Sequence, residues 1–136
     1  MTHKPKILLT KVGLDGHDRG IKVVAQCLRA AGLEVVYLGI HQRSESIVEA
    51  AIQEDVDVVG LSSLAGGHLV YAKEILALLR ERGAGQIPVV MGGTLPFEDI
   101  PRLEQIGIRA VFPAGTPVSE LEGRIRELAE SRERQL

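Results

Sequence analysis

Short, nearly continuous apolar runs alternate along this chain with longer stretches whose apolar positions recur at helical spacing. The short runs are 6–10 (KILLT), 34–38 (EVVYL), 56–61 (VDVVGL), 88–91 (PVVM) and 110–112 (AVF). Runs this short and this rich in β-branched and aliphatic residues predict strands buried on both faces. Between them, Ile21, Val24, Ala25 and Leu28 fall at i, i+3, i+4 and i+7, with Gly32 as a stop. Ser44 is expected to cap a second helix, with Glu45 in its first turn and Ile47, Ala50 and Ala51 on its apolar face. Leu69, Ala72, Ile75, Leu76 and Leu79 mark a third helix, ended by Gly83. A shorter helix is expected over 96–106, ended by Gly107. Ser119 is expected to cap a last one that buries Leu121, Ile125 and Leu128, with 131–136 as a charged, fraying tail.

Strict alternation of strand and helix, joined by a few residues each, predicts a parallel sheet with helices on both faces. Five strands in one small domain favour a flavodoxin-like, doubly wound α/β fold with strand order 2-1-3-4-5. The 136 residues fit one domain, 1–136, without a linker or internal repeat.

In such a sheet every strand's carboxyl end opens on one edge, and ligands bind there where strand order reverses. Eight of the 15 glycines sit in loops on that edge: Gly13, Gly16, Gly20, Gly66, Gly67, Gly92, Gly93 and Gly115. The loop after the second strand, expected at the sheet's outer edge, has only Gly39. Four adjacent glycine-bearing loops predict a large ligand lying close along the strand ends.

Charge and composition narrow the ligand. Lys plus Arg is 16 against 18 for Asp plus Glu, a net charge of −2, which argues against nucleic acid and anionic membranes as partners. There is no Trp, hence little to stack bases on. The single cysteine, Cys27, excludes a disulfide framework and is expected in the core. No apolar run has the length of a signal peptide or a membrane span, which gives the expectation of a cytoplasmic protein.

The first loop reads KVGLDGHDRG, 11–20. Asp15 and His17 are two apart, so their side chains can point the same way. A carboxylate accepting from Nδ1 leaves Nε2 a free lone pair, the arrangement that orients a metal-ligating imidazole. Lys11 can balance the carboxylate. One histidine without ligand-spaced companions is a poor zinc or iron site. It suits a metal whose other ligands come from a cofactor, with the protein supplying an axial position. His41 and His68 read as loop or cap residues, His68 near the expected pocket. The alternating Arg and Glu of 124–134 read as a solvated helix face.

Asp15-x-His17-x-x-Gly20, then Ser62-x-Leu64, then Gly92-Gly93 all fall at strand carboxyl ends. Together they resemble the cobalamin-binding domain of the acyl-CoA mutases, methionine synthase and glutamate mutase. The runs KVGLDGHDRG and SSLAGGH look most like the methylmalonyl-CoA mutase branch, and the resemblance covers about 6–128.

The resemblance implies adenosylcobalamin as cofactor, with His17 as lower axial ligand to cobalt in place of the cofactor's own dimethylbenzimidazole. Asp15 would hydrogen-bond His17, and Lys11 would extend that relay. The displaced nucleotide tail would enter a slot between the first and third strands. Gly16, Asp18, Arg19 and Gly20 would line its entry, Ser62 would bond its base, and Leu64 would pack against it beside Gly66. Gly92 and Gly93 would let backbone approach the sugar and phosphate. Gly115 and Thr116 would add contacts, with Phe112 on the wall.

It further implies an isomerase activity expressed only with a partner, a large acyl-CoA-binding subunit with a barrel domain, in a hetero-oligomer. A barrel takes ~250 residues, more than this chain holds, so the groups touching the acyl-CoA are expected on the partner and no catalytic residue here. The alternative is a corrinoid carrier or sensor without mutase activity. A phospho-acceptor module of the same fold needs an Asp where Ser62 stands, and neither G-x-G-x-x-G nor a Walker pattern supports nucleotide binding.

Overall fold

The computed structural model describes residues 4–12, 19–40, 42–63 and 67–135. Their order is β1 (Lys6–Lys11), α1 (Arg19–Ala30), β2 (Glu34–Gly39), α2 (Ser44–Gln53), β3 (Val58–Ser63), α3 (His68–Glu81), β4 (Val89–Gly93), a 3₁₀ turn (Phe97–Asp99), α4 (Ile100–Ile106), β5 (Ala110–Pro113) and α5 (Val118–Gln135). The strands form one five-stranded sheet in the order β2-β1-β3-β4-β5, every pair parallel. The flavodoxin-like order expected from the alternation is the observed one.

Alternation along each strand divides the core between two faces. Leu8, Val59 and Met91 pack with Ile47, Ile75 and Leu103 on the side of α2, α3 and α4. Ile7, Val58 and Val90 pack with Leu28, Ile125 and Leu128 on the side of α1 and α5. No helix among the described residues is long and apolar enough to cross a membrane.

Most strands run beyond their apolar runs at the carboxyl end. β3 continues through Ser62 and Ser63, which pair with Gly92 and Gly93 of β4. Backbone groups need partners whatever side chain they carry, so the ladder outlasts the hydrophobic signal. β3 begins at Val58 rather than 56 because the Asp57 carboxylate accepts the Lys6 N–H at 2.9 Å.

Both expected serine caps are displaced. Arg43 is the N-cap of α2, in extended conformation and without a side-chain cap bond. Ser44 is helical and buried, its Oγ without a hydrogen-bond partner among the described residues. α5 starts one residue before Ser119, the Pro117 carbonyl accepting from the Glu120 and Leu121 N–H groups. The helix expected over 96–106 is a 3₁₀ turn followed by α4, with Pro101 in the first turn of α4. A proline there has no N–H to continue a helix from Phe97. Cys27 is half-buried rather than core.

Candidate functional site

A cavity of about 330 Å³ lies between the sheet and helices α1 and α5. Its floor is Ile7, Leu9, Gly60 and Val90, and its walls include Ile21 and Leu28 of α1 and Leu121 and Ile125 of α5. Its rim is Gly20, Ser62, Gly92–Thr94 and 113–116, the carboxyl edge of the sheet. The slot was expected between the first and third strands. Those strands are paired directly, from Ile7↔Val58 to Lys11↔Ser62, so nothing passes between them. The opening lies over their face instead.

Glycine creates that space. Gly60 sits mid-strand between Leu9 and Val90. A Cβ on it would meet Leu9 Cδ2 at 2.7 Å and Ile7 Cδ1 at 3.3 Å. A Cβ on Gly92 would stand 3.2 Å from the Phe112 carbonyl oxygen. Gly93, at φ +116°, lies so close to Ser63 that a Cβ would collide with the Ser63 carbonyl oxygen. That closeness lets the Thr94 N–H donate to the same oxygen at 3.1 Å.

Sheet register puts the sequence-predicted residues in one row. Lys11 stands opposite Ser62, Ser62 opposite Gly92 and Gly92 opposite Phe112. Ser62, Gly92, Gly93, Phe112, Gly115, Thr116 and Gly20 all line the cavity. The Thr116 hydroxyl donates to the Pro113 carbonyl at 2.6 Å, so towards the cavity its oxygen is left to accept. Lys11 is not in the lining but is buried at 1% exposure beside Ser62. Asp15, Gly16, His17, Asp18, Leu64 and Gly66 lie outside the described residues, as does His41. Arg19 opens α1. The chain leading into 13–18 is fastened at the rim, where the Val12 N–H donates to the Ser62 carbonyl at 2.9 Å. It emerges at α1, whose second residue, Gly20, is a rim residue.

Sequence reasoning missed Gly60, the rest of the apolar floor and the walls that α1 and α5 supply. Their one signal was a glycine inside an otherwise aliphatic strand, which marks a close approach. It also misread His68, which is the first residue of α3, buried, and within 2.7 Å of Asp99 Oδ2 through Nε2. Among the described residues no cluster of three or more His, Cys, Asp or Glu side chains could hold a metal by itself.

Away from the site, Lys6 at the amino end of β1 has its pKa raised above 10.5. Hydrogen bonding to Glu34 is the larger cause, followed by Glu54; the Nζ–carboxylate distances are 3.2 and 3.3 Å.

A family described as the B12 binding domain matches residues 5–122. The chain is 49% identical over 127 residues to a 2-hydroxyisobutanoyl-CoA mutase small subunit of Aquincola tertiaricarbonis, covering 93% of both chains. It is 43% identical over 120 residues to a pivalyl-CoA mutase small subunit of Xanthobacter autotrophicus, covering 88% of this chain and 80% of that one. It is 41% identical over 125 residues to a methylmalonyl-CoA mutase of Cereibacter sphaeroides, covering 92% of this chain and 18% of that one. Among solved structures, a cobalamin-binding protein from Desulfitobacterium hafniense superposes with TM-score 0.78 at 25% identity, over 92% of this chain and 59% of that one. The receiver domain of a Francisella response regulator superposes with TM-score 0.71 at 14% identity, over 94% and 98%, a likeness of fold alone.

Proposed function

The chain belongs to the B12-binding domain family, and on that premise we propose that it is the cobalamin-carrying small subunit of a two-subunit acyl-CoA mutase. The observation that carries this reading is the 49% identity, over 93% of both chains, with a mutase small subunit. The site residues fit the cofactor. A nucleotide tail needs a narrow apolar channel with a few polar groups at its mouth. The cavity has apolar walls, a glycine cradle that side chains would fill, and Ser62 and Thr116 at its rim.

Of this chain's residues, His17 would ligate the cobalt, and Asp15 would accept a hydrogen bond from the imidazole and so orient it. Ser62 would hydrogen-bond the nucleotide base, and Gly92 and Gly93 would leave room for the sugar and phosphate. Gly115 and Thr116 would contact the tail at the rim, with Phe112 as wall. When bound, adenosylcobalamin supplies the carbon-centred radical that starts a 1,2 carbon-skeleton rearrangement. The protein's part is to bind, orient and shield.

The acyl-CoA, a short branched ester of the 2-hydroxyisobutyryl, pivalyl or methylmalonyl kind, is held by a large subunit. That subunit docks on the carboxyl edge, which carries Phe97 at 79% exposure and Val70 at 65%. The test is reconstitution. The chain takes up adenosylcobalamin and, mixed with the large subunit of an acyl-CoA mutase, isomerises at least one such ester, with no turnover from either chain alone. Cobalamin uptake without turnover on any ester, or with any partner, supports a carrier instead.

A further inference from the structure

The sheet brings together two polar side chains that the cofactor site does not use. Asp99 ends the 3₁₀ turn after β4 and His68 begins α3 after β3. Their side chains are 14% and 10% exposed, with Asp99 Oδ2 2.7 Å from His68 Nε2. His68 Nδ1 is also buried and has no hydrogen-bond partner among the described residues. In a neutral ring, Nε2–H donating to the carboxylate leaves Nδ1 as the lone pair. Packing alone gives no reason to place an imidazole there, because an apolar side chain would fill the space without stranding a polar atom.

The contact closes a ring. At its root, Ser63 of β3 accepts from the Thr94 N–H at 3.1 Å. Five residues after Ser63 comes His68, and five after Thr94 comes Asp99. The loops leaving two adjacent strands are therefore fastened twice, at the strand ends and again at His68–Asp99. Thr94, inside this ring, and Ser62, next to its root, both line the cavity. Arg102 approaches Asp99 Oδ1 at 3.6 Å but is 66% exposed, so its contribution is small.

We propose that His68 is a positioning residue for the cobalamin site. Its contact with Asp99 fixes where the loop after β3 ends relative to the loop after β4. It thereby holds Ser62 and Thr94 at the separation the nucleotide tail requires. This rests on the cobalamin reading above.

The wild-type chain, His68→Ala, Asp99→Ala, the double variant, His68→Gln and Asp99→Asn are titrated with adenosylcobalamin by absorbance. Each is also probed by limited proteolysis without cofactor. Each alanine variant is expected to weaken uptake about tenfold or more, the scale of one lost hydrogen bond to a charged group. The double variant is expected to be no weaker than either single, and His68→Gln, which retains an amide donor, to recover most of the affinity. Cleavage within 63–68 is expected to accelerate in the alanine variants, with the unfolding midpoint of the rest of the domain little moved. Unchanged affinity in both alanine variants, additive losses in the double, or no recovery with Gln overturns the proposal. Should the alanine variants not fold, the same comparison is made between Asp99→Asn and His68→Gln. A wild-type chain that takes up no cobalamin refutes the cofactor reading instead, while unchanged proteolysis of the alanine variants refutes the tie itself.

Discussion

Gly92→Val tests whether the cavity over β1, β3 and β4 is the tail site. Gly92 lines the cavity, and its absent Cβ would stand 3.2 Å from the Phe112 carbonyl oxygen and 3.7 Å from Phe112 Cβ. The first distance is short of ordinary van der Waals contact, so β5 must give by a few tenths of an ångström. Overpacking of this kind costs about 1–3 kcal/mol, and the domain is expected to fold. Affinity is expected to suffer separately, because valine puts three carbons into a cavity of about 330 Å³. A single misplaced methylene in an apolar pocket changes binding by about 10–200-fold. The assay pairs urea denaturation with adenosylcobalamin titration on the same preparations. Ile75→Val is the control: Ile75 is buried in the opposite core, and the change costs about 0.5–1.5 kcal/mol without touching the cavity. Gly92→Val is expected to lose at least tenfold in affinity and Ile75→Val none. Wild-type affinity in Gly92→Val would mean that the tail lies elsewhere.

Gly93→Ala is expected to damage the fold itself. Its φ of +116° and the collision with Ser63 should lower stability by more than the ~1–3 kcal/mol of one strained residue, and a wild-type unfolding curve would contradict that geometry. Phe97→Ser is expected to leave cobalamin uptake intact and weaken association with the large subunit about tenfold or more, the scale of exposing one buried aromatic side chain; equal sedimentation of both mixtures would remove Phe97 from the interface. Because its pKa is raised in the fold, Lys6 stabilises the folded chain fully below 10.5 and loses that contribution as pH rises through the higher folded value. The stability gap between wild type and Lys6→Met should therefore hold across neutral pH and close only in strong alkali; a gap that closes between pH 7 and 9 would implicate another group.

The strand order was legible because five aliphatic runs and four intervening helical faces admit few arrangements. The carboxyl-edge glycines were legible because helix-stop chemistry does not explain adjacent pairs such as Gly92-Gly93. Gly60 was not, since one glycine within VDVVGL reveals its purpose only when Leu9 is seen beside it. The helical walls were hidden too: Ile21, Leu28 and Ile125 serve the core and the cavity with the same side chains. His68 and Asp99 are 31 residues apart, and only the pairing of β3 with β4 makes them neighbours. The caps at Ser44 and Ser119 failed because an extended Arg43 and the Pro117 carbonyl start those helices, and neither outcome is encoded by a serine.

The central claim is that an imidazole of this chain is the lower ligand of cobalt. The most direct measurement is the paramagnetic resonance spectrum of cob(II)alamin bound to the chain, recorded with natural-abundance and ¹⁵N-histidine protein. Superhyperfine splitting that changes from the ¹⁴N to the ¹⁵N pattern in wild type, and is lost in His17→Ala, is the predicted result. Splitting that is indifferent to the histidine label would leave the cofactor's own benzimidazole on the metal and contradict the account.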